Sequence, residues 1–114
     1  MEKGLKDLEE KIGKVPKIFH ELKDLDPEMY KSLLKLDQWV WDDGALSKQT
    51  KKIIAVCIAA AMRDRHAVRA QMAGAPHLGI TAEEMNEALR VTFLLAGMPA
   101  YVYGKAAAEE FFKK

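Results

Sequence analysis

A histidine beside a carboxylate opens the search for chemistry. His66 follows Asp64 and Arg65 directly, and an imidazole with a nearby acid has the makings of a general base and its partner. The same stretch carries Arg63, Arg65 and Arg69, whose guanidinium groups suit an anionic substrate such as a carboxylate. A plainer reading stands beside each. A histidine at a helix start is commonly half solvated, and charges at a helix joint commonly form a solvated face or a subunit contact. Cys57 lies in the apolar run from Ile53 to Met62, whereas a reactive thiolate needs an electropositive, partly exposed setting. It reads as a buried structural cysteine. As the only cysteine it excludes any intrachain disulfide. His20, His66 and His77 are far apart and no metal-ligand spacing occurs, so neither a metal nor an organic cofactor is expected.

These residues need a scaffold, and composition bounds it. A chain of 114 residues, 49% apolar and 31% charged, is one globular domain, 1–114. A net charge of +1, with lysines scattered among acids, gives no reason to expect nucleic acid or an anionic membrane as partner. The longest apolar run is too short to span a bilayer. The opening Met-Glu-Lys-Gly-Leu-Lys lacks a secretory pattern, so the expected compartment is the cytoplasm.

The apolar spacing is helical throughout, which predicts an all-α bundle of about six helices. Leu5, Leu8 and Ile12 share a face of a first segment that Gly13 ends. Val15-Pro16 opens a short helix with Ile18, Phe19 and Leu22 inward. Asp26-Pro27 is a helix start, an N-cap acid followed by proline in the first turn. The helix it begins presents Met29, Tyr30, Leu33, Leu34, Leu36, Val40 and Trp41, and Asp43-Gly44 stops it. Ser47 caps the next helix, with Leu46 placed as a staple. That helix is apolar nearly all round from Ile53, more than one core face requires. A second subunit is the expected cover, so the chain is expected to form a homo-oligomer. Thr81 and Glu84 read as a capping box for a helix burying Met85, Ala88, Leu89, Thr92, Phe93 and Leu95. Gly97 ends it, and Pro99 opens a last helix with Tyr101, Tyr103 and an Ala106-Ala107-Ala108 face.

The order of these signals resembles the carboxymuconolactone decarboxylase / alkylhydroperoxidase D-like family. The likeness rests on Gly13 and Pro16, on Gly44, Leu46 and Ser47, on Ala75 and Gly79, on Thr81, Glu83 and Glu84, and on Gly97, Pro99 and Ala100. It covers nearly the whole chain. It implies an all-helical fold assembled as a trimer or hexamer. In the alkylhydroperoxidase D-like branch a glutamate on the central helix, a Cys-x-x-Cys pair and a histidine four residues on carry out the peroxide chemistry. With Gly79 and Thr81 fixing the register, those places fall here on Lys52, on Asp64 and Ala67, and on Gln71. None of the four is retained. The decarboxylase branch lacks the cysteines but is expected to keep the histidine, here Gln71.

Lys52, Asp64, His66 and Gln71 are therefore the candidate catalytic residues, with Arg65 and Arg69 to hold a substrate carboxylate. A buried lysine can serve as base or Schiff-base nucleophile through a lowered pKa, or it can pair structurally with Asp64. Three functions stay open. One is acid–base chemistry on a small carboxylated or lactone substrate. Another is thiol-dependent peroxidase or reductase activity, disfavoured because no cysteine pair exists. The third is a non-catalytic oligomeric binding or scaffold protein.

Overall fold

The computed structural model describes residues 2–113, among which no residue is in a strand. Seven α-helices follow one another: α1 Lys3–Ile12, α2 Lys17–Leu25, α3 Pro27–Trp41, α4 Lys48–Ala61, α5 Arg65–Gly74, α6 Ala82–Ala96 and α7 Met98–Phe111. A 3-10 turn, Pro76–Leu78, joins α5 to α6. The caps fall where the sequence places them. The Asp26 carboxylate accepts the N–H of Met29, the Ser47 hydroxyl that of Thr50, and Thr81 and Glu84 form the reciprocal box. Each cap satisfies amides that the first helical turn leaves without partners. Leu46 is exposed instead of acting as a staple.

Two apolar clusters result. Helices α1 to α3 enclose Leu5, Leu8, Ile12, Val15, Phe19 and Tyr30. Helices α4 to α7 enclose a larger cluster that includes Val56, Val68, Met72, Met85 and Leu89. Burying each such side chain contributes roughly 1.5–3 kcal/mol. The two halves meet at glycines. A Cβ on Gly74, at the end of α5, would lie 2.1 Å from the Ile12 carbonyl oxygen. One on Gly13 would lie 2.0 Å from the Gly74 carbonyl oxygen. Gly13 also takes φ 87°, so only glycine fits there without strain. Backbone thus packs on backbone where α1 ends against α5.

Several side chains expected inside lie outside. Ile18, Met29, Leu36, Val40, Phe93 and Leu95 are exposed, and of the expected face of α3 only Tyr30 is fully buried. On α4 the inward face carries Lys52, Val56, Ala59 and Ala60, while Ile54 and Ile58 stand open to solvent. Among the described residues no helix is long and apolar enough to cross a membrane.

Candidate functional site around Lys52

Lys52 sits on the first turns of α4, just after a residue that does the opposite job. Lys51 turns outward, and its ammonium donates to the carbonyl oxygens of Val40 and Asp42, closing the C-terminal end of α3. One position on, about 100° around the helix, Lys52 points inward and is 2% exposed. Its Nζ donates to Gln71 Oε1 at 2.9 Å and lies 4.8 Å from the centre of the Trp41 ring. Trp41 ends α3, packs against the cluster of the first three helices and donates its indole N–H to Asp37 at 3.2 Å. Three helices therefore build the site: α4 supplies the amine, α5 the amide that accepts from it, and α3 the aromatic face.

The electrostatics follow from what is missing around the amine. Among the described residues no carboxylate lies within 4.0 Å of Lys52. An amide oxygen and a ring face stabilise an ammonium by less than a carboxylate does. Burial accordingly pushes the Lys52 ammonium down from 10.5 to about 8. That value lies about a unit above neutral pH, so the group can give its proton and take it back. Burial also raises the Asp37 carboxyl, against the hydrogen bond from Trp41 that lowers it.

The other candidate residues are placed differently. Asp64 is the N-cap of α5, exposed, with its carboxylate accepting the Ala67 N–H at 3.0 Å. The ion pair with Lys52 that the sequence left open is not formed. His66 is exposed and lines a separate cavity. The Arg65 guanidinium lies over the Tyr103 ring at 4.8 Å. Arg69 makes two hydrogen bonds to Glu110, at 3.0 and 2.6 Å, so its charge is engaged within the chain. The structure thus joins Lys52 to Gln71 and sets Arg65, Arg69 and His66 apart from them. Cys57 is half-buried, not fully buried. Its Sγ lies 3.8 Å from the Ala88 carbonyl oxygen, in an apolar groove between α4 and α6. Among the described residues no group of three or more His, Cys, Asp or Glu side chains is arranged to hold a metal.

Trp41 is a site residue that the sequence does not single out from Trp39, Tyr101 and Tyr103. It reads as core or interface, or as one of four aromatic residues that could line a pocket, and its place at the end of α3 brings its ring face to the amine.

An all-helical chain whose central helix and the next bring Lys52 and Gln71 together has the architecture that the resemblance implies. The family model for the carboxymuconolactone decarboxylase family matches residues 27–110, and the chain belongs to that family. An uncharacterized protein of Methanocaldococcus jannaschii is 40% identical over 81 residues, spanning 70% of this chain and 78% of its own. An uncharacterized protein encoded in the cox locus of Paracoccus denitrificans is 33% identical over 76 residues, 67% of this chain and 68% of that one. A solved protein of Burkholderia xenovorans LB400, provisionally described as a carboxymuconolactone decarboxylase, superposes with a TM-score of 0.73. That match covers 96% of this chain and 91% of the other at 19% identity, and it is a likeness of fold.

Proposed function

We propose that the chain carries out acid–base chemistry on a small carboxylated or lactone substrate, with Lys52 as the proton-transfer group. The observation that carries this reading is a buried amine with no carboxylate partner, held by Gln71 and Trp41. In a decarboxylation the bond to the carboxyl carbon breaks, carbon dioxide leaves, and the electron pair stays on the substrate until a proton arrives. An ammonium whose pKa is about 8 supplies that proton readily, and its charge attracts the anionic substrate beforehand. The Gln71 amide oxygen fixes where the ammonium points. The test is carbon dioxide release from carboxylated lactones. Lys52→Met should lower kcat by about 10²-fold or more, and the rate of the natural protein should fall as pH rises through about 8. Unchanged turnover in Lys52→Met would remove the proposal's main actor.

A second reading, an oligomeric binding or scaffold protein without catalysis, also has an observation in its favour. Lys52 lines none of five cavities found among the described residues, and no buried side-chain polar atom there lacks a partner. Absence of turnover on any lactone or keto acid, with assembly intact, would favour it. Either reading includes self-association as a trimer or hexamer, supported by the uncovered apolar faces of α4 and α6.

A further inference from the structure

One face of α5 looks at α4 and carries Ala67 and Gln71. A neighbouring face carries His66, Arg69, Ala70 and Ala73, and these line a cavity of about 250 Å³ that Lys52 does not reach. The other walls are the α1–α2 loop, the start of α2 and Phe111 at the end of α7. Its polar side chains are all basic: Lys14, Lys17, His66 and Arg69. Two carboxylates partly offset them from outside the lining, Glu110 on Arg69 at 2.6 Å and Glu21 on Lys17 at 3.5 Å. Lys14 and His66 have no carboxylate within 4.0 Å among the described residues. Glu110 also feels the charge of Lys14, so the lining keeps a modest excess of positive charge, whose field low-dielectric walls strengthen.

The rest of the wall is apolar. Ile18, Ala70, Ala73 and Phe111 face the same space. Ile18 is 48% exposed although it lies beside Phe19 on a short amphipathic helix, and this cavity is what it borders. The loop that carries Lys14 is bounded by Gly13 on one side and Pro16 on the other. Gly13 is locked against Gly74 at backbone contact, and Pro16 fixes the start of α2 with no side-chain cap over its first turn. Basic groups beside an apolar wall suit one chemistry.

We propose that this cavity binds a small organic anion, a carboxylate on a flat apolar body such as an aromatic ring. The carboxylate meets Lys14, Lys17 and His66, and the ring lies against Ile18, Ala70 and Phe111. The site is distinct from the Lys52 site, and its test does not depend on catalysis. Full-length protein labelled with 15N is titrated with benzoate, with benzyl alcohol and with inorganic phosphate, and amide shifts are followed. Benzoate should move the amides of residues 14–18, 66–73 and 111 saturably, in the millimolar range. Lys14→Glu and Ile18→Ser, both at exposed positions, should each weaken it by about tenfold, while Lys52→Met leaves it unchanged. Benzyl alcohol or phosphate binding as tightly as benzoate would overturn the proposal, since either the charge or the ring would then be irrelevant. Shifts without saturation would overturn it as well. Loss of benzoate binding in Lys52→Met would place the ligand in the other site and also overturn it.

Discussion

A lysine at 2% exposure with no carboxylate beside it keeps its charge against a cost, and that cost has a pH signature. The folded chain holds the Lys52 proton with a pKa of about 8, against an ordinary 10.5. Between those two values the unfolded chain binds more protons than the folded one, so this residue makes stability rise with pH across that window. The full effect is roughly 3 kcal/mol. Urea unfolding of the natural protein and of Lys52→Met, at pH 7 and at pH 10.5, should show the natural protein gaining on the variant by that order. Equal pH dependence in the two would mean a solvated amine. Part of this site was legible in the sequence. The register fixed by Gly79 and Thr81 sets Lys52 and Gln71 among four positions of one pocket and offers Asp64 as the partner of Lys52, whereas the hydrogen bond that forms joins Lys52 to Gln71. What was not legible is whatever depends on neighbours from other helices. No spacing rule puts Trp41 under the ammonium, separates Arg69 from the amine by tying it to Glu110, or turns His66 toward a different cavity.

At the scale of elements, the end of α5 and the turn that precedes it make opposite predictions. Gly74 has no room for a side chain, since a Cβ would meet the Ile12 carbonyl oxygen at 2.1 Å. Gly74→Ala forces α1 away from α5 and should cost about 1–3 kcal/mol, seen as a lower thermal midpoint. Arg63, between α4 and α5, has φ 60°, a left-handed conformation that a residue with a Cβ adopts at a cost. Arg63→Gly should stabilise the fold by about 0.5–1 kcal/mol in the same measurement; a loss would mean that its guanidinium holds the joint. Helix starts were readable from sequence because a cap is local: Asp26-Pro27, Ser47 and the Thr81–Glu84 box each need only residues a turn apart. The inward faces of α3 and α6 were harder. Both carry more apolar residues than one face holds, so periodicity alone does not choose between Leu36 and Tyr30, or between Leu95 and Leu89.

The same surplus governs the whole molecule. Ile54, Ile58 and Met62 on α4 and just beyond it, with Val91, Leu94 and Leu95 on α6, are exposed, and an apolar groove runs between the two helices. An exposed apolar patch of this kind marks a contact surface, and a second copy is the occupant we propose. Ile58→Asp and Leu95→Asp should each shift the protein toward the monomer in light scattering after size exclusion, with helical circular dichroism retained. A natural protein that already runs as a monomer would remove the case. Such a copy would cover the outward face of α4, whereas Lys52 lies on the inward face and is 2% exposed in the single chain. The most direct test of the account is therefore the titration of the Lys52 ammonium itself, by NMR on selectively labelled protein with Lys52→Met as the assignment control. The expected midpoint is about 8. A midpoint near 10.5, the ordinary value, would contradict it, because an amine that solvent reaches freely is neither the buried group described here nor a proton donor tuned for neutral pH.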